Sequence, residues 1–208
     1  MESTIITKNW ASGDAPEVLE EIHRNEVNIA LFNRLSQPWK TEVAKLLKKD
    51  FQLKSSGTPQ TIVDTIAQFD ELHDSPLLKA DIKMLFNHFT QLIKSDTYRL
   101  FLATISNDMC RKFHTDINDL RMLCTYQGPG TLWLTEDNIN YQATDDEQLV
   151  IDKSQVQQAQ TGTVVVLKGA IYPQDGAKAI LHRSPSITDS NEKRLLLRID
   201  TEGFGGHF

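Results

Sequence analysis

Phe113-His114-Thr115-Asp116 lies between two strand-like runs, Arg99 to Ser106 and Arg121 to Tyr126, in a chain of 208 residues. Residues two apart in an extended backbone point to one face, so His114 and Asp116 can aim an imidazole and a carboxylate at one point. A second imidazole from a neighbouring strand, for which His182 is the candidate, completes a two-His-one-carboxylate set. Such a set holds a metal like iron(II) on one side and leaves the opposite positions open. His-x-Asp alone is weak evidence because it recurs by chance. Its company strengthens it.

That company is a run of strands. Arg99 to Ser106, Arg121 to Tyr126, Thr131 to Leu134, Thr163 to Lys168, Ala179 to His182 and Leu195 to Asp200 all carry strand composition. Turn signals separate them, among them Asn107-Asp108, Asn118-Asp119, Gly128-Pro129-Gly130 and Gln174-Asp175-Gly176. The first half reads differently. A helix starts at Ser12 to Pro16, helical spacing relates Trp39, Val43, Leu46 and Leu47, and two further helices carry Ile62 to Leu72 and Leu78 to Ile93. Val27 to Phe32 and Phe51 to Lys54 are brief strands, while residues 1 to about 14 are polar and loose. Helices followed by strands predict an α+β protein. Its expected form is a double-stranded β-helix (jelly-roll or cupin-like) barrel over 98–208, carrying the site. Residues 1–97 form an N-terminal helical layer packed on one side, in the same domain. The polar, Gln-rich segment 135–160 is long enough to act as a lid over the barrel mouth.

Arg194 stands 12 residues after His182 and shares a strand face with Arg198, whereas Leu195, Leu197 and Ile199 face the other way. An inward arginine needs an anion to meet it; an edge strand would simply leave both arginines solvated. Lys168, ending Val164-Val165-Val166-Leu167, is a second anion-binding candidate or the exposed end of a strand. Arg121 shares a face with Leu123 and Thr125 and can orient the carboxylate of the set or a ligand. Tyr126 points to the opposite face and is as compatible with the core as with a ligand. Cys124 suits a small core position, and Cys110 lacks the companions a zinc site needs. His73 and His88 fit helix surfaces, and His207 a loose tail.

Composition excludes several classes. Hydrophobic residues make up 39%, charged residues 24%, and the net charge is −6, with no basic run to attract nucleic acid. No apolar stretch approaches the roughly 20 residues that cross a bilayer. Met1-Glu2-Ser3-Thr4 lacks a secretory signal's basic and apolar regions, and two cysteines suit a reducing cytoplasm. Neither a phosphate-binding glycine loop nor a nucleophile elbow is present.

Arg111-Lys112-Phe113-His114-Thr115-Asp116, Arg121 to Tyr126, Gly128-Pro129-Gly130-Thr131-Leu132-Trp133, Leu167-Lys168-Gly169, His182-Arg183-Ser184-Pro185 and Arg194 to Leu197 resemble a bacterial family known as domain of unknown function number 1826. The resemblance is strongest over about 100 to 200, and it implies no reaction. More distantly, the same landmarks resemble iron(II)/2-oxoglutarate-dependent oxygenases of the prolyl-hydroxylase type. Gly-Pro-Gly-Thr and Leu-Lys-Gly depart from the hydroxylase pattern. This second resemblance implies that His114, Asp116 and His182 bind iron(II) and that Arg194 binds the distal carboxylate of 2-oxoglutarate. Tyr126, Arg121 and Lys168 are further co-substrate candidates, and no catalytic residue stands beyond the metal ligands. The expectation is a cytoplasmic oxygenase hydroxylating a small-molecule or peptide substrate. One rival is a non-redox zinc- or nickel-binding cupin acting as carrier, sensor or lyase; the other is a non-catalytic binding module.

Overall fold

The computed structural model describes residues 5–6, 9–188, 190 and 192–201. In chain order it runs β1 (Ile5–Ile6), β2 (Trp10–Gly13), a 3-10 helix (Pro16–His23), β3 (Ile29–Phe32), α1 (Lys40–Leu46), β4 (Gln52–Gly57), α2 (Pro59–Gln68) and α3 (Pro76–Leu92). Then follow β5 (Tyr98–Ile105), β6 (Leu120–Gln127), β7 (Leu132–Trp133), β8 (Gln157–Gln158), β9 (Val164–Lys168), β10 (His182–Arg183) and β11 (Arg194–Thr201). The glycine-rich tail and His207 lie outside the described residues.

The helices stop and start where local chemistry requires. Thr58 accepts a hydrogen bond from the Thr61 amide and Pro59 opens α2, satisfying one orphan donor and losing none. Along α3, Leu78, Ile82, Leu85, Phe86 and Phe89 are buried at helical spacing. The helical segment expected from Ser12 begins only at Pro16 and winds as a 3-10 helix with that proline in its first turn, while Ser12 and Gly13 end β2.

The strands form two sheets. One has eight strands in the order β1-β2-β3-β9-β6-β11-β5-β4; the other is small, β10-β7-β8. Four strands of the large sheet come from the first 97 residues, so the boundary at 97/98 falls inside one continuous sheet. The stretch expected to be loose near the N-terminus includes β2, which pairs parallel to β3 from Trp10↔Ile29 to Gly13↔Phe32. Within the described residues the large sheet ends in edges at β1 and β4 and does not close into a barrel.

Each face of the large sheet has its own core. On one side Leu100, Leu102, Met122, Cys124, Val164, Val166, Leu195, Leu197 and Ile199 join the helical residues Ile22, Val43, Ile62, Ile66, Ile82 and Phe86. On the other, Phe101, Ala103, Leu123, Val165, Leu167 and Leu196 meet Trp133, Ala159 and Ile180 from around the small sheet. Alternation along each strand sorts side chains between the two. The face toward the small sheet carries the polar groups described next.

The segment 135–160 is more structured than a plain loop. It holds two 3-10 turns, a β-bridge between Ile139 and Val150, and β8, which pairs with β7.

Candidate metal and anion site

The site is assembled across the gap between the two sheets. His114 lies outside the regular strands, yet it forms an isolated antiparallel bridge with His182 at the start of β10. Each amide donates to the other's carbonyl at 3.0 Å, and the two rings lie 4.6 Å apart. Backbone pairing therefore sets the spacing of the imidazoles. In each ring Nδ1 contacts a main-chain oxygen two residues earlier, Lys112 O at 3.0 Å and Ile180 O at 3.2 Å. A carbonyl only accepts, so Nδ1 is a donor in each ring and Nε2 is the nitrogen turned toward Asp116.

Asp116 follows at the expected two-residue offset. Its Oδ1 is 3.7 Å from His114 Nε2 and its Oδ2 3.3 Å from His182 Nε2. One ligand atom from each of the three residues lies within 4.8 Å of the other two. Two imidazoles and one carboxylate converging on one point form a donor set that fits a divalent metal.

Charged groups on β6 and β11 back the carboxylate. Arg121 Nη1 stands 2.5 Å from Asp116 Oδ2, and Arg121 Nε donates to Asp200 Oδ1 at 2.5 Å. Asn118 Nδ2 also donates to Asp200 Oδ1, at 3.2 Å, and Arg198 Nε lies 3.1 Å from Asp200 Oδ2. Burial disfavours the charge on Asp116. Even so, His182, Arg121 and His114 hold its carboxyl down at about 2. Asp200 was missed in the sequence. Its signal is parity: it alternates with Arg194 and Arg198 on one strand face and lies opposite Arg121 in register.

Arg194, at the start of β11, is 1% exposed. Its Nη2 donates to Thr125 Oγ1 at 3.1 Å, its Nε is buried without a hydrogen-bond partner, and no carboxylate among the described residues pairs with it. Burial pushes its guanidinium down to about 10. The reading of an exposed edge strand is thereby removed, because β11 is central, between β6 and β5. Gly128 (φ +85°) makes room for this side chain. A Cβ there would sit 2.8 Å from Arg194 Cγ and 2.8 Å from Lys193 O. A cavity of about 60 Å³ lies among His114, His182, Arg121, Thr131 and Arg194, with Met109 and Arg198 also at its walls.

Two further candidates do not join this site. Tyr126 is one residue past Thr125 and so faces the helices, where its hydroxyl donates to Asp81 Oδ2 at 2.7 Å. There it belongs to a buried network in which Arg34 Nη1 grips both oxygens of Asp81 at 2.7 and 2.9 Å and Nη2 reaches Cys124 Sγ. Lys168 shares the face of Val164 and Val166. Its Nζ donates to Arg24 O at 2.7 Å and stands over the Tyr172 ring, and burial pushes it down to about 8. Assigning either residue to a co-substrate is corrected by strand parity.

The chain's fold is shared with the dioxygenase for auxin oxidation 1 of Arabidopsis thaliana, solved as its 2-oxoglutarate binary complex, with a TM-score of 0.55. Identity is 10%, and the match covers 94% of this chain and 92% of that one. Weaker likenesses include full-length Neurospora crassa T7H in complex with α-ketoglutarate (13% identity, 97% and 88% covered, TM-score 0.49) and a Pseudomonas putida prolyl-4-hydroxylase (10%, 91% and 99%, 0.45). What the chain shares with the first of these three is a mixed α+β fold built on a large sheet. The chain belongs to the family described as protein of unknown function DUF1826, whose model matches residues 13–200. No sequence among curated proteins matches it. No helix among the described residues is long and apolar enough to cross a membrane.

Proposed function

We propose that the protein is an iron(II)/2-oxoglutarate-dependent oxygenase. In this reading the two sheets are the halves of a double-stranded β-helix, and the helices brace the outer face of the larger one. The observation that carries the proposal is the pairing of two features in one cavity. The two imidazoles of a two-His-one-carboxylate set line it, and so does a buried arginine with no carboxylate partner among the described residues. A non-redox metal carrier has no use for the second feature.

His114, Asp116 and His182 would hold the metal. When bound, iron(II) supplies activation of oxygen coupled to oxidative decarboxylation of the 2-oxo acid. The chain's own contributions are positional. The backbone bridge between His114 and His182 fixes the imidazoles, and their Nδ1 bonds hold the ligating tautomer. Arg121, held by Asp200, orients the carboxylate and keeps it ionised. Arg194 meets the distal carboxylate of 2-oxoglutarate, with Thr125 holding one arm of the guanidinium. Leu123 and Leu196 line the same cavity and help exclude water from it, which strengthens the ion pair. The cavity of about 60 Å³ has room for only a water or two. Co-substrate entry therefore displaces rim side chains, with exposed Met109 the first candidate.

Anaerobic calorimetry of the metal-free protein tests this. One iron(II) should bind per chain, 2-oxoglutarate should bind tightly only afterwards, and Asp116→Ala should abolish both. A protein that binds metal and ignores 2-oxoglutarate is the non-redox metal binder instead. One that binds neither is a module whose histidines are structural.

A further inference from the structure

A second cavity, of about 470 Å³, opens one residue from each metal-facing histidine. Phe113 precedes His114 and Arg183 follows His182, and Arg183 lines both this cavity and the small one. Phe113, Leu132, Val150 and Val156 supply apolar walls, the last two from the segment 135–160. The volume is in the range of about 300–1,000 Å³ usual for small-molecule sites.

The charges around these walls are unequal. Lys112 is paired with Asp146, and Arg111 with Asp108 at 2.9 Å. Glu147 stands exposed at the rim. Arg183 and Lys153 are cations with no carboxylate partner among the described residues. Arg183 is also held in place: its guanidinium carbon lies 5.0 Å from the centre of the Phe113 ring, Nη1 donates to Arg111 O at 3.2 Å, and Nε is buried without a partner. Two unpaired cations beside an apolar wall run against a chain whose net charge is −6.

We infer that this cavity receives the substrate, and that the substrate is a small apolar organic anion. Its apolar body lies against Phe113, Leu132, Val150 and Val156, and its anionic group meets Arg183 and Lys153. Naming the occupant a substrate rests on the oxygenase reading; the chemistry of what binds does not. In that reading the small cavity, with Arg194, takes the 2-oxo acid, and the larger one takes the substrate. Because Lys153 sits on the 135–160 segment, ligand binding also ties that segment down.

The test is calorimetric titration of the metal-free protein with three probes of one shape: 2-naphthoate, 2-naphthamide and 2-naphthylmethylammonium. The anion should bind at least about tenfold more tightly than the amide, and the cation most weakly. Arg183→Gln and Lys153→Gln should each bring 2-naphthoate toward the amide's affinity without changing the amide, while Arg194→Met should leave all three as they were. Equal binding of the three probes, no binding, or preference for the cation overturns the inference. So does loss of 2-naphthoate in Arg194→Met alone, which would place the anion in the small cavity. An equal fall for amide and anion in Lys153→Gln, at an exposed side chain, also refutes it. Failure of the oxygenase reading would show as absent 2-oxoglutarate turnover with these affinities intact, so the two failures are distinguishable.

Discussion

Replacing Arg194 with Met should separate stability from function in a direction opposite to that of most buried residues. The guanidinium is 1% exposed and donates one described hydrogen bond, to Thr125, while Nε has none. Burial lowers it from its usual 12.5 to about 10. At 1.36 kcal/mol per unit, that is roughly 3 kcal/mol of charge burial carried by the ligand-free fold. Met is similar in length, fills the space and removes the charge. Replacing buried charge by packed apolar groups is often neutral or stabilising by about 1–4 kcal/mol. Thermal unfolding of the metal-free variant should therefore show a Tm equal to or above that of the native chain. Affinity for 2-oxoglutarate, with metal present, should fall by about 2–5 kcal/mol, on the order of 30- to several-thousand-fold. Metal affinity should stay nearly unchanged, because Arg194 is not among the three converging ligands. Arg194→Lys should fall between, keeping the charge and losing the fork. A lower Tm together with native 2-oxoglutarate affinity would refute the reasoning, since Arg194 would then be a packing residue.

Asp200→Asn should weaken metal binding by about tenfold or more in an iron(II) titration, because Arg121 loses the carboxylate that sets its grip on Asp116; unchanged affinity would confine Asp200 to stability. Alkylation of the folded protein should modify exposed Cys110 and spare Cys124, whose thiol is pushed up to about 12 by burial; mass spectrometry after limited iodoacetamide treatment reads this directly. The amides of Ile187 and Thr188 and the hydroxyl of Ser186 hold the Asp108 carboxyl well below the usual carboxylate range. A depressed folded pKa stabilises above the unfolded value and loses that contribution as the proton returns. The Tm curves of native and Asp108→Asn protein should thus be fully separated above about pH 5, begin to approach below about pH 4 and meet only well below that.

Much of the site was legible because strand parity is local. His114 and Asp116 two apart, and Arg194 and Arg198 four apart, share faces in any extended backbone, and the structure keeps those relations. The α3 helix was equally readable from its apolar spacing and Pro76. Lys168 was not, because Val164 to Leu167 is apolar on both faces of a buried strand and so conceals which side the lysine takes. Tyr126 lay on the far side by parity, and only its contact with Asp81, 45 residues away in sequence, shows what occupies it there. Non-local pairing hid the remainder. Nothing local places β11 between β5 and β6, or brings β2, β3 and β4 into the same sheet.

The central claim is tested most directly by incubating the protein with iron(II), 2-oxoglutarate and oxygen and measuring succinate. The account predicts succinate and carbon dioxide in equal amounts, dependent on iron, lost in Asp116→Ala and severely reduced in Arg194→Met at limiting 2-oxoglutarate. Succinate formation that persists unchanged in Asp116→Ala, or its complete absence from native protein loaded with iron, would contradict it.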